Sequence, residues 1–153
     1  MRVHSNNNAT GRADGAKIGV PEIDFVSQDG YIPTEIVARK IAVNEVIIAE
    51  RNDQPMGYLR LEYLWSIIPY IAIIIVLPKF RRDGIGKAML EFVATYLMKS
   101  GHQWLYSSSQ ADEPEPQTWH RHMGFEDCGI LTGINNNGVS EIFFRKRIAE
   151  AES

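Results

Sequence analysis

Ile71-Ala-Ile-Ile-Ile-Val-Leu77, then Pro78-Lys79, then Phe80-Arg-Arg-Asp-Gly-Ile-Gly-Lys87 make one continuous stretch with three characters. The apolar run is short and rich in β-branched residues, which reads as a buried strand. Pro78 stops it. Farther on, apolar residues recur at Ile85, Ala88, Met89, Phe92, Val93, Tyr96 and Leu97, the three-and-four spacing of one helix face. Lys99 with Gly101 just beyond reads as the helix stop.

The loop between strand and helix has a composition with a physical use. The first N–H groups of a helix have no internal partner, and the aligned peptide dipoles place partial positive charge there, so the end attracts anions. Gly84 and Gly86 remove side chains that would hold an anion off the backbone. Arg81, Arg82 and Lys87 add positive charge, and an arginine can grip a phosphate through two parallel hydrogen bonds. The loop reads as a phosphate or pyrophosphate cradle. It is not a Walker A loop, because Arg81 and Ala88 occupy the two diagnostic places, and it is not a dinucleotide fingerprint, because Met89 stands where the third glycine belongs.

The run Val76-Leu-Pro-Lys-Phe-Arg-Arg-Asp-Gly-Ile-Gly86 resembles the coenzyme A loop of the GNAT acetyltransferase superfamily, Arg/Gln-x-x-Gly-x-Gly/Ala after a strand ending Val-x-Pro. Downstream, Trp119-His-Arg-His-Met-Gly124-Phe125 resembles that family's Tyr-x-x-x-Gly-Phe segment. The two motifs stand in the family's order and separation, and the resemblance runs from about Glu45 to Ile148. It implies an α/β (α+β) fold with a central mixed, mostly antiparallel sheet of about six strands. A central strand pair splays, and helices cover both faces. It also implies acetyl-CoA as co-substrate, with Ile74, Val76, Arg81, Arg82, Asp83, Gly84, Ile85, Gly86, Lys87, Ser108 and Trp119 as its binding residues. Main-chain groups near Ile74 and Val76 would take the pantetheine arm and the thioester oxygen.

Composition is consistent with this. At 153 residues and 44% apolar, the chain suits one packed domain. The expected layout is a mobile tail over residues 1–19, which are rich in Asn, Gly and charge, and a single acyltransferase domain over 20–153. No apolar run approaches the roughly 20 residues of a membrane span, and the start of the sequence does not read as a signal peptide. Cys128 is a single cysteine, so a cytoplasmic protein without an internal disulfide is expected. Net charge is −3 with no basic stripe beyond Arg81–Lys87, which argues against nucleic acid and for a small anionic ligand.

Along the chain, Glu22–Val26 reads as a short strand, and Pro33 with Thr34 and Glu35 opens a helix of roughly ten residues. Strands follow at Glu45–Glu50 and from Met56 to about Trp65, joined by a turn at Asn52–Pro55. After the long helix, Trp104-Leu-Tyr-Ser-Ser-Ser109 reads as an inner strand parallel to the apolar run. Pro116 starts a short helix through Met123. Phe125–Thr132 and Val139–Arg145 form a hairpin around Asn137-Gly138.

Acyl transfer from a thioester to an amine needs the amine neutral, the carbonyl polarised and the departing sulfur stabilised. The family's tyrosine, which protonates the leaving thiolate, falls here on His120. This histidine is a candidate acid, a base acting through water, or a positioning group. Where many family members carry a basic glutamate near the start of the apolar strand, this chain has Tyr70. Glu62 on the preceding strand is the substitute, with Tyr63 and Tyr70 as further alternatives, and ordered water could replace a dedicated base. His120 and His122 are two apart on a helix and point to different sides, so no metal is expected. Asp112, Glu113 and Glu115 would favour a cationic amine if they face the acceptor. The expected partners are a small-molecule or peptide amine and, as the resemblance allows, a second copy of the chain. The alternative reading is a non-catalytic CoA-binding or regulatory module, supported by the change at both familiar catalytic places.

Overall fold

The apolar run becomes strand β5, Ile68–Val76, as part of a mixed, mostly antiparallel α/β structure. The computed structural model describes residues 11–13, 16–19 and 33–150, with side chains from residue 33 onward. The expected strand at Glu22–Val26 lies outside the described residues. The chain packs as two compact units, Met1–Leu61 with Ile73–Val93, and Glu62–Ala72 with Ala94–Ser153.

In the first unit, strands β1 (Gly11–Ala13), β2 (Ala16–Gly19), β3 (Val46–Arg51) and β4 (Gln54–Leu64) follow one another in antiparallel order. The β2–β3 register is Lys17↔Glu50 through Gly19↔Ile48. Strands therefore occupy part of the segment that composition marks as a tail. Ladder bonds are main-chain bonds, so they need none of the apolar side chains whose scarcity suggested disorder. Helix α1, Thr34–Ala42, buries Val37 against Val46 and Tyr58, with Ile41 and Ile73 at the edge of the cluster. Lys40 ties the helix to the sheet through Glu45 Oε2 at 3.1 Å and the Leu61 carbonyl at 3.2 Å. At Gly57 of β4 an added Cβ would stand 2.8 Å from Met89 Cε and 3.2 Å from the Ile75 carbonyl oxygen, so this strand position needs glycine for close approach.

Helix α2 spans Ile85–Lys99, the residues the periodicity assigns to it. Ile85, Met89, Leu90, Val93 and Leu97 are buried, whereas Tyr96, expected on the stripe, is exposed at its margin. Gly101, at φ +91, ends the helix: its N–H donates to the Met98 carbonyl and that of His102 to Leu97, the paired bonds of a Schellman stop.

In the second unit, β5 pairs in parallel with β6 (Trp104–Gln110) at only two positions, Tyr70↔Tyr106 and Ile71↔Ser107. Of the apolar run only Ile71 is fully buried, and residues 72–76 are half-buried. Strand β6 pairs over its whole length with β8 (Glu141–Arg147), which pairs in turn with β7 (Glu126–Leu131). Leu105, Ser107 and Ser109 are buried on one face of β6, and Trp104, Tyr106, Ser108 and Gln110 are half-buried on the other. Helix α3, Pro114–His122, closes on a second Schellman stop at Gly124 (φ +91).

Candidate active site

The cradle residues lie in the first unit, in the turn that carries β5 into α2. A 3-10 turn at Pro78–Phe80 buries Phe80 and anchors the loop, and the Leu77 N–H donates to the Met56 carbonyl at 2.8 Å. Arg82 (φ +76) and Gly84 (φ +75) both take the left-handed conformation. Alternating the backbone hand in this way turns successive N–H groups toward one side, the geometry of an anion nest. Among the described residues the N–H groups of Arg82, Gly84, Ile85, Gly86 and Lys87 donate to no carbonyl, and the first helical bond is Ala88 N–H to the Gly84 carbonyl at 3.0 Å. Ile85 and Gly86 are buried, and a buried donor left without a partner is costly. A Cβ built at Gly84 would meet nothing within 4 Å, so the loop is open at that position.

The side chains add charge to that geometry. Arg81 Nε donates to the Val76 carbonyl at 3.2 Å, which pins the guanidinium beside the loop and leaves its terminal nitrogens for a ligand. It also occupies one lone pair of the Val76 carbonyl, one of the main-chain groups expected to meet the pantetheine arm or the thioester oxygen. Lys87 is exposed and pairs loosely with Glu91 at 3.9 Å. Arg82 and Asp83 are exposed, and Ile74 and Val76 are half-buried on the strand leading in. Thus Ile74 and Val76 end β5, and Arg81 through Lys87 follow in the turn and the first residues of α2.

The other candidates lie in the second unit. His120 is enclosed: it is 2% exposed, stacked on Phe144 at 4.7 Å, and met edge-on by Trp119 and Phe125. Its Nδ1 lies 2.7 Å from the Pro116 carbonyl, which can only accept, so Nδ1 carries the proton and donates. Nε2, 2.6 Å from Ser107 Oγ, then accepts from the serine hydroxyl. Burial holds the imidazole below its usual pKa; the Pro116 bond opposes this and Arg121 adds to it, so the ring is neutral at neutral pH. Both nitrogens are committed, and the ring stands on the buried face of the sheet. Its partner Ser107 escaped the motif reading, although the alternation of β6 already places it beside Leu105 on the inward side.

The opposite face of β6 holds Ser108. Its Oγ lies 2.5 Å from the Tyr70 hydroxyl, and the Tyr70 ring stacks on Phe143 with centroids 5.7 Å apart. Trp119 is half-buried and borders a shallow groove with Pro114, Glu115, Thr118 and His122. Glu62 is half-buried on β4. Asp112, Glu113 and Glu115 are exposed, and Glu141 has its carboxyl pushed above the ordinary range by burial, with Glu113 adding to the effect and an Asn135 bond opposing it. Burial likewise raises the exposed-strand thiol of Cys128. Among the described residues no group of three or more His, Cys, Asp or Glu could hold a metal, and no helix is long and apolar enough to cross a membrane.

Comparison with known proteins gives the following. Residues 42–127, more than half of the 153, match the family model described as an acetyltransferase (GNAT) domain. No curated protein matches the chain significantly. Among solved structures, Ard1 from Thermoplasma volcanium is similar with a TM-score of 0.78 at 12% identity, over 89% of this chain and 99% of that one. The ribosomal-protein-S18-alanine N-acetyltransferase from Escherichia coli has a TM-score of 0.70 at 17% identity, over 90% and 97%. A GNAT family acetyltransferase from Elizabethkingia anophelis with acetyl-CoA bound has a TM-score of 0.70 at 18% identity, over 88% and 99%.

Proposed function

This chain belongs to the GNAT acetyltransferase family, and we propose that it moves the acetyl group of acetyl-CoA to a primary amine of a small molecule or peptide by direct attack in a ternary complex. The observation that carries this reading is the row of amides at Arg82 and Gly84–Lys87 that donate to no carbonyl among the described residues, beside a pinned Arg81. Such a row suits the linked phosphates of coenzyme A. Acetyl transfer itself is what the family does.

Two observations support an amine acceptor. The similar Escherichia coli protein is by name an alanine N-acetyltransferase. Negative charge also concentrates at Asp112, Glu113, Glu115 and Glu141, where Glu113 is felt at Glu141, and such a field favours a cationic amine. The amine must shed its proton before its lone pair can close the C–N bond, and the C–S pair then departs with sulfur. Cys128 is a poor acetyl carrier, since burial raises its thiol pKa and disfavours the thiolate.

A second reading, a CoA-binding module without turnover, draws on the burial of His120, which removes the side chain at the acid's place from reach of a substrate. One experiment separates the two. Calorimetric titration with acetyl-CoA, followed by thiol release with a panel of peptide and small amines, is expected to show binding and acceptor-dependent release. Binding without release over any acceptor selects the module. Gly84→Glu, which puts a carboxylate into the open space of the loop, is expected to weaken acetyl-CoA at least tenfold, or about 1.4 kcal/mol. Unchanged affinity would overturn the cradle.

A further inference from the structure

The turn between β4 and β5 is built against local preference. The Ile67 N–H donates to the Leu64 carbonyl at 3.1 Å, and the two enclosed residues, Trp65 and Ser66, take φ of 53° and 65°. Two-residue hairpin turns of this hand favour Asn, Asp and Gly, which tolerate the left-handed region. The β3–β4 turn follows that rule, with Asn52 and Asp53 at φ 51° and 60°. At Trp65 a bulky side chain sits in the same region under strain. Burial gives nothing back: Trp65 is 84% exposed and Ile67 67%. Leu64–Pro69 carries no charge, so no ion at the tip opposes its leaving water.

We propose that Trp65 anchors a dimer of this chain, its indole seated in the α3 groove of a second copy whose own Trp65 fills the first copy's groove. Pro114, Glu115, Thr118, Trp119 and His122 line that groove, and the tip belongs to the same compact unit. The chemistry of the two surfaces matches. An indole brings an apolar body and one N–H that needs an acceptor once it leaves water. The half-buried Trp119 offers an aromatic wall, and the exposed Glu115 offers a carboxylate that accepts.

Area selects the occupant. A buried aromatic side chain covers roughly 200 Å² and the groove loses a like amount, so one contact removes about 400 Å² from water. That is less than a typical crystal contact. Two reciprocal contacts with Ile67 beside each reach about 1,000 Å², the threshold of a specific interface. A second copy related by a two-fold axis supplies both contacts at once, whereas a partner that takes the tip alone meets half of that area. Such a pair is closed, so association stops at two.

Sedimentation velocity of the full chain tests this. The unaltered chain is expected to be monomeric at about 5 µM and mostly dimeric at about 500 µM, as suits an interface at the small end of the range. Trp65→Asn is expected to stay monomeric throughout and to melt, at the lower concentration, no lower than the unaltered chain, because Asn accepts the conformation of the turn. Thr118→Arg, which puts a long charged side chain at an exposed position of the groove, is expected to stay monomeric as well. Saturating coenzyme A is expected to leave the dimer in place. A chain still monomeric at the higher concentration, a dimer that survives either substitution, or assemblies larger than two would overturn the proposal. So would a lower melting temperature in Trp65→Asn, which would make the indole part of the fold, or dispersal by coenzyme A, which would give the groove to the coenzyme.

Discussion

His120 shows how much a single side chain's surroundings decide. Counting back from Gly124-Phe125 puts it at the family's acid position, but spacing along a chain says nothing of Ser107, thirteen residues earlier, or of Phe144. Both lie against it because β6 and β8 pair Ser107 with Phe144. Burial disfavours the imidazolium, so the folded chain takes up this proton less readily than the unfolded chain, whose histidine titrates near 6.5. Unfolded molecules therefore gain the proton first as pH falls. The stability His120 confers is complete above about pH 6.5 and declines below it. Thermal melts are expected to show a drop in midpoint between pH 7.5 and 5.5. In His120→Gln that drop should be smaller, on a chain already about 2–3 kcal/mol weaker from the lost stack and bond. Equal drops in both proteins would remove His120 as the source.

At the scale of elements, local patterning was the legible part. The residues of α2, its glycine stop, the Thr34–Ala42 helix and the order of β3 to β8 follow from periodicity and punctuation, because each reflects short-range constraints on one segment. Close approach between segments was illegible. Nothing near Gly57 in sequence reveals that Met89, Ile85 and the Ile75 carbonyl crowd its α-carbon. Gly57→Val is accordingly expected to cost about 1–3 kcal/mol, since the flexible end of Met89 can yield but a strand carbonyl cannot without moving β5. Gly101→Ala meets nothing within 4 Å, so its expected cost of about 1 kcal/mol is backbone strain alone. Urea unfolding would compare the two: a loss at Gly57→Val no greater than at Gly101→Ala would mean that β4 tolerates a side chain there.

For the whole molecule, the sequence conveyed the fold through two motifs in order, while the ladder of β1 and β2 stayed hidden because main-chain pairing leaves little compositional trace. The site was legible in the same uneven way. The expected cradle residues are neighbours in sequence and fall in one turn, whereas Ser107 and His120 come from a strand and a helix and their pairing needed coordinates. This difference bears on how ligand binding should reach the global stability. A ligand that binds only the folded chain stabilises it by mass action, about 2.7 kcal/mol at 100 times its Kd, which for a chain of this length is a rise of roughly 5–10 °C in Tm. As proposed, the cradle takes the phosphates that acetyl-CoA and free CoA share, so both are expected to raise Tm alike. The rise should shrink with added salt, since the loop is exposed and basic. In Gly84→Glu most of the rise should vanish. Differential scanning fluorimetry of the unaltered chain and the variant decides the matter: a full shift in Gly84→Glu would mean that the coenzyme's phosphates are held somewhere other than the turn from β5 into α2.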